Sequence, residues 1–155
     1  MNDFGGNIAK SGSAPGGAFY FDEIAIGQKA TYTRTVSADD IKSFAAVSGD
    51  DNPVHLDNDF AAANTPFGGC IAHGILTASY VSTVVGSRFP GPGTIYVNQS
   101  LKFKAPVRVG DTVVATAEVV ELVPEKSFVV LKTTCEVAGK VVLDGQATVM
   151  APKRI

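Results

Sequence analysis

The strongest constraint on the fold is a long stretch without charge: no Asp, Glu, Lys or Arg occurs between Phe60 and Ser87. Within it, residues 71–85 are apolar or small on nearly every face of a helix, which is typical of a helix buried in a protein core. The run is short for a membrane span and is interrupted by polar residues such as His73 and Thr77, so no transmembrane segment is expected. Small residues recur every four positions along one stripe and would let another element approach closely: Gly74, Ala78, Ser82 and Gly86.

The segments that follow this helix read as β-strands, and those before it read as one strand and two short helices. Ser37 is a plausible N-cap for a helix that runs to about Val47. A buried helix followed by consecutive strands predicts an α+β fold, in which a curled antiparallel sheet wraps one long helix. The predicted strands are residues 28–36, 94–104, 112–123, 127–137 and 141–150, and the second short helix is residues 57–63.

Length and composition narrow the class of protein. The chain has 155 residues, 45% of them hydrophobic and 18% charged, which fits one globular domain. We expect a flexible leader over residues 1–17 and a single domain over residues 18–155. The net charge of −2 gives no reason to expect nucleic acid as a partner. Two distant cysteines, Cys70 and Cys135, form neither a disulfide framework nor a metal motif, and they indicate a cytoplasmic protein with reduced thiols.

The candidate chemistry lies in the segment from Ser48 to His55. Asp50 and His55 are separated by Asn52-Pro53, and proline pushes the preceding residue out of the helical region. No helix should therefore run from Asp50 to His55, and a bent segment could aim both side chains at one water or one substrate proton. Asp-Asn-Pro is also common turn chemistry, so these residues alone fit a structural turn equally well.

Several motifs together resemble one family. Asp50-x-Asn52-Pro53-x-His55, preceded by Ser48-Gly49, resembles the signature of the (R)-specific enoyl-CoA hydratases, also called hydratase 2 or MaoC-like dehydratases. His73-Gly74 at the start of the charge-free helix fits the same family. Residues 99–111, which read Gln-Ser-Leu-x-Phe-x-x-Pro-Val-x-x-Gly-Asp, are similar to the strand and turn that follow the helix in that family. The resemblance runs from about Phe19 onward and implies a hot-dog fold, in agreement with the α+β plan.

The resemblance also implies an activity and a set of site residues. The activity is reversible syn hydration of a trans-2-enoyl-CoA to the (R)-3-hydroxyacyl-CoA, which needs no metal or other cofactor. Asp50 and His55 would be the catalytic pair, with Asp50 in a partly dry pocket. Gly74 would offer its backbone N–H to the thioester carbonyl, and Ser82 would lie near the substrate. Asn52 is a further substrate-binding candidate, although turn chemistry favours a structural role for it.

Other assignments remain open on the sequence. His73 fits either a brace for the helix start or a proton-transfer group. The helix stripe that continues past Ser82, including Val85, is expected to govern acyl-chain length. A homodimer or a dimer of dimers is expected, because a single hot-dog sheet leaves an open edge.

Three rival functions would use the same fold. The first is a (3R)-hydroxyacyl-acyl-carrier-protein dehydratase of fatty-acid synthesis, which would use the same pair and would be favoured by a basic patch. A hot-dog acyl-CoA thioesterase would need an acidic residue on the long helix, and none occurs between Phe60 and Ser87. A non-catalytic acyl-CoA-binding module would not need the Asp50/His55 pair.

Overall fold

The chain folds as one antiparallel sheet laid around one helix, in a computed structural model that describes residues 11–155. The sheet has five strands in the order β1-β3-β4-β5-β2, so β1 and β2 are its two edges. The helices and strands, in chain order, are β1 Lys29–Thr35, α1 Ala38–Ser48, α2 Pro53–Leu56, α3 Asn58–Asn64, α4 Gly74–Ser87, β2 Ile95–Phe103, β3 Thr112–Val123, β4 Phe128–Val137 and β5 Lys140–Met150. Every pairing between neighbouring strands is antiparallel. The predicted α+β plan is confirmed, and the strand boundaries differ from the expected ones by one residue at most.

Helix α4 packs on the sheet through one side only. Its buried residues follow helical spacing and include Leu76, Tyr80 and Val84, which join the core that β3 and β4 supply. The opposite side is open in the described chain, where Ile75 is 55% exposed and Ser82 and Gly86 are exposed as well. The prediction of a long helix in the core is therefore confirmed, but burial on all faces is wrong for a single copy of the chain. No helix among the described residues combines the length and the hydropathy of a membrane span.

Residues 1–10 of the predicted leader lie outside the described residues. Residues 11–17 contain a 3₁₀ turn at Pro15–Gly17, and Ala14 is buried. The Ala14 N–H donates to the carbonyl of Ala18 at 2.9 Å, and the Ser13 N–H donates to the Glu23 carboxylate at 3.2 Å. This part of the leader thus packs against the domain.

Helix α1 is anchored at its start, and this anchor positions the candidate site at its end. The Ser37 side chain accepts a hydrogen bond from the Asp40 N–H at 3.0 Å, as expected for an N-cap, and the Asp40 carboxylate caps the Ser37 N–H in return. Arg34 of β1 pairs with the same carboxylate at 2.6 Å. The hydrogen bond from the Arg34 guanidinium lowers the pKa of Asp40 to about 2. The start of α1 is thereby held against edge strand β1.

Candidate active site

The loop after α1 places the Asp50 carboxylate. Gly49 ends the helix in the left-handed region with φ 79°, a conformation that costs glycine little and other residues more. The hydroxyl of Ser48 accepts a hydrogen bond from the Asp50 N–H at 3.1 Å, and the Asp50 carboxylate accepts one from the Asn52 N–H at 3.3 Å. Asp50 is exposed in the described chain. The partly dry pocket that was expected around this carboxylate is therefore not formed by one copy of the chain.

Asn52 and Pro53 start the short helix α2, which carries His55. The Asn52 side-chain oxygen accepts a hydrogen bond from the Val54 N–H at 3.1 Å, so Asn52 is the N-cap, and Pro53 is the first helical residue. Helix α2 starts at Pro53, so no helix runs from Asp50 to His55, as predicted. The side-chain oxygen of Asn52 has a structural task, which leaves its amide nitrogen as the atom that could meet a substrate.

The His55 ring is held in one tautomer by a backbone carbonyl. Its Nδ1 lies 2.8 Å from the carbonyl oxygen of Ile71. A carbonyl oxygen can only accept, so Nδ1 carries the proton, and Nε2 of the neutral ring has a free lone pair. Nε2 can therefore take a proton from a bound water. Nothing in the local sequence pointed to Ile71 for this task.

Asp50 and His55 meet at a third group, His73. A carboxylate oxygen of Asp50 and a ring nitrogen of each histidine all lie within 4.8 Å of one another. One water that makes two hydrogen bonds of roughly 2.8 Å spans about 4.6 Å between its partners, so the spacing accommodates a bridging water. The structure thus brings together the two residues that the sequence predicted as a pair, and it adds His73 to them.

A carboxylate and two imidazoles are also a ligand set that divalent metals use. However, the His55 and His73 rings are stacked, with centroids 3.8 Å apart and planes 28° apart. The lone pairs of their nitrogens lie in those nearly parallel planes and cannot both point at one ion without a rearrangement of the rings. The arrangement favours proton transfer over metal binding.

An apolar pocket lies beside this cluster at the start of α4. Its volume is about 430 Å³. It is lined by Ile71, whose carbonyl contacts His55, and by Gly74, which follows His73 in the chain. Gly74 is the first residue of α4, where backbone N–H groups have no partner within the helix. The Phe103 ring covers it so closely that a β-carbon at position 74 would lie 2.6 Å from the ring. The other lining residues are Phe67, Ala72, Ile75, Lys104, Ala105 and Pro106.

Ser82 is the one predicted site residue that the structure does not bring to the cluster. It lies eight residues beyond Gly74, or about 12 Å along the helix axis. It is exposed on the open side of α4, close to the face that carries Ile75. Ser82 could therefore contact substrate only on this open surface, which a single copy of the chain does not enclose.

Comparison with known proteins agrees with this fold. Residues 22–142 match the MaoC like domain. An (R)-specific enoyl-CoA hydratase from Rhodospirillum rubrum is 58% identical over 135 residues, which cover 87% of this chain and 93% of that protein.

Two solved structures are similar in fold and in sequence. R-hydratase PhaJ1 from Pseudomonas aeruginosa has a TM-score of 0.81 at 46% identity, over 87% of this chain and 86% of that one. The (R)-hydratase from Aeromonas caviae has a TM-score of 0.80 at 43% identity, over 83% of this chain and 98% of that one. They confirm the predicted hot-dog fold, and with the matched domain they show that the chain belongs to the MaoC-like family.

Proposed function

We propose that this chain is an (R)-specific enoyl-CoA hydratase, a hydro-lyase that reversibly converts a trans-2-enoyl-CoA to the (R)-3-hydroxyacyl-CoA. The observation that carries the proposal is the pairing of the Asp50 carboxylate with the His55 imidazole, at the spacing of one bridging water, beside an apolar pocket. The test is turnover of crotonyl-CoA, followed by loss of the enoyl absorbance and by chiral analysis of the product. Absence of turnover, or formation of the (S)-alcohol, would contradict the proposal.

We assign His55 as the base that accepts a proton from the attacking water. Its Nδ1 is occupied by the Ile71 carbonyl, so Nε2 is the basic atom. The water is held between Nε2 and the Asp50 carboxylate, and its oxygen bonds to C3 as one proton passes to Nε2. The resulting enolate then takes a proton at C2 from the same pair. Because both groups lie on one face of the double bond, the addition is syn.

The negative charge of the enolate needs a hydrogen-bond donor, and Gly74 is our candidate. Its N–H lies at the N-terminus of α4, where the helix dipole also favours negative charge. Removal of one donor of this kind typically costs about 3–4 kcal/mol of transition-state stabilisation. The Phe103 ring fills the space over position 74, so we expect this partly exposed ring to move aside when the thioester binds.

Gly74→Ala is expected to lower kcat/KM at least ten-fold while the melting temperature stays equal or rises slightly. The added methyl group meets the Phe103 ring and the space that the thioester needs. Stability should not fall, because alanine is the better helix former and the 53%-exposed Phe103 ring can move aside. Steady-state kinetics with crotonyl-CoA and a thermal melt measure both quantities. Full activity in this variant would remove Gly74 from the site.

Acyl-chain length is a second property of the pocket, and we expect its control to lie elsewhere than at Val85. Val85 is 1% exposed in the core and does not line the pocket beside Gly74. We expect Val85→Phe to overpack the core and lower the free energy of unfolding by about 1–3 kcal/mol, without a change in preferred chain length. Urea denaturation and a series of crotonyl, hexenoyl and octenoyl substrates test this. Val47→Phe, at a position that is 83% exposed, is the neutral control.

A shortened chain-length profile in a Val85→Phe protein of normal stability would contradict this expectation. It would show that the acyl tail enters the core along α4, as the sequence had suggested.

The nearest alternative is the same chemistry on an acyl carrier protein. Such a carrier is acidic and would be held by basic residues at the pocket mouth. Lys104 lies there, but it pairs with Asp144 at 2.8 Å, so its charge is already compensated. The pocket mouth therefore offers no support for an acidic carrier protein from this lysine. A larger kcat/KM for crotonyl carried by the carrier protein than for crotonyl-CoA would favour the alternative.

We further propose that the chain works as a homodimer or a dimer of dimers. Edge strand β2 exposes Ile95, Val97 and Phe103 at 50–55% each, and one side of α4 is open. Apolar side chains on an unpaired edge are what a second copy of the same chain would cover.

Cys70 and Cys135 are free thiols, which fits our expectation of a cytoplasmic enzyme.

A further inference from the structure

His73 is the most deeply buried polar group of the candidate site. It is 2% exposed and immediately precedes Gly74, the first residue of α4. Its ring lies between the Phe44 ring, at 4.8 Å, and the His55 ring, at 3.8 Å. His73 is the N-cap residue of α4, but its side chain makes no capping hydrogen bond to the helix.

The hydrogen bonds of His73 define what its ring can do. Nε2 lies 2.9 Å from the backbone carbonyl oxygen of Asp50, and a carbonyl can only accept, so Nε2 carries a proton. Nδ1 is buried and has no hydrogen-bond partner among the described residues. A second proton on Nδ1 would be a buried donor without an acceptor, which is costly, so the neutral ring with its proton on Nε2 fits the site.

This arrangement speaks against a role for His73 in proton transfer. One nitrogen is committed to a backbone carbonyl, and the other is enclosed away from solvent. A group that exchanges protons with substrate needs a nitrogen that is free to gain and lose a proton, and the closeness of His73 to Asp50 and His55 does not supply one. His73 therefore acts through other residues.

We propose that His73 is a positioning residue that sets the distance between the proton-transfer pair and the oxyanion donor. This inference rests on the proposed function. The side chain of His73 holds the backbone of Asp50, its ring face supports the ring of His55, and its own carbonyl carbon is bonded to the Gly74 nitrogen. One residue thus joins three parts of the site that come from the loop after α1, from α2 and from α4. A misplacement of about 1 Å can cost roughly 10²-fold in rate.

Two substitutions separate the two contacts of His73. His73→Phe keeps a ring for the stack and removes the donor to the Asp50 carbonyl. His73→Gln removes the ring and keeps an N–H donor near the position of Nε2. We expect kcat to fall roughly 10²-fold in His73→Phe with KM within about three-fold, because the bond to Asp50 sets the geometry. His73→Gln should recover at least ten-fold of that loss.

Tyr80→Phe is the matched control. Tyr80 is 4% exposed on the same helix, and its ring packs on Tyr32 rather than on the cluster. This variant should keep kcat within about two-fold, since it removes one buried polar atom without a change at the site. Thermal melts of all variants establish that each is folded at the assay temperature.

A double-mutant comparison distinguishes positioning from simple support of the fold. If His73 acts through Asp50, His73→Phe should add less than about three-fold to the loss already present in Asp50→Asn. Full multiplication of the two losses, or wild-type kcat in His73→Phe, would overturn the proposal. These outcomes are separate from failure of the proposed function, because that failure would appear first as absence of crotonyl-CoA turnover in the unmodified chain.

Discussion

Asp50→Asn and His55→Asn are each expected to lower kcat for crotonyl-CoA hydration by roughly 10²–10⁴, which is the usual contribution of a positioned acid or base. The two side chains lie within 4.8 Å of each other, and in the proposed mechanism they act on one water and not on the CoA body. KM should therefore change by less than about three-fold, because the loss falls on the transition state. Steady-state kinetics over a range of crotonyl-CoA concentrations separate kcat from KM.

Asp51→Asn is the matched control for this experiment. Asp51 is also acidic, adjacent and exposed, but it is not part of the group that Asp50 forms with the two histidines. Asp51→Asn should keep most of the activity.

The double variant Asp50→Asn/His55→Asn should be scarcely worse than the worse single variant, because the effects of residues that act on one water are not additive. Equal damage from Asp50→Asn and Asp51→Asn would show that the motif was read in the wrong register, and near-normal turnover in His55→Asn would remove the hydratase assignment.

The parts of the fold that the sequence predicted well are those decided by local interactions. Ser37 was expected as an N-cap, and the structure confirms it through the bond from the Asp40 N–H. The turn at Asn52-Pro53 was expected because proline restricts its neighbour, and α2 does begin at Pro53. Strand positions followed from alternation and from turn residues, which depend on neighbours in the chain.

The predictions of side-chain exposure were wrong where exposure depends on parts of the chain that are distant in sequence. The residues of α4 are apolar or small on every side, yet only the side that meets the sheet is buried. Strand β2 alternates as a half-buried strand would, yet at this edge of the sheet its side chains are largely exposed on both faces. Composition does not contain this information, because the order of strands in the sheet decides it.

The features of the candidate site also divide into those that the sequence could predict and those that it could not. The approach of Asp50 to His55 was predictable, because the segment between them is short and bent. The contacts that give these groups their roles were not. The Ile71 carbonyl that fixes the His55 tautomer, and the Phe103 ring that covers Gly74, come from other segments and follow no local pattern.

Ile95→Lys/Val97→Lys is expected to convert the proposed dimer to a monomer. Both side chains are exposed on edge strand β2, at 55% and 50%, and Lys102 is the only charged residue of that strand. Native edges that stay unpaired are usually protected by charges, so this strand fits an edge that a second copy covers. Each large apolar side chain that becomes buried contributes about 1.5–3 kcal/mol, and a buried lysine would oppose association instead. Light scattering at several protein concentrations measures the change in mass.

We expect the same double substitution to reduce kcat/KM at least ten-fold, although it touches no residue of the catalytic pair. Asp50 is exposed in a single copy of the chain, and electrostatic stabilisation of the enolate is weaker in a site that stays open to water. Ile26→Lys is the control, because Ile26 is 67% exposed but lies before β1 and away from the β2 edge. It should leave both mass and activity unchanged. A monomeric double variant with full activity would show that one copy of the chain forms a complete active site, and the open side of α4 would then have no part in catalysis.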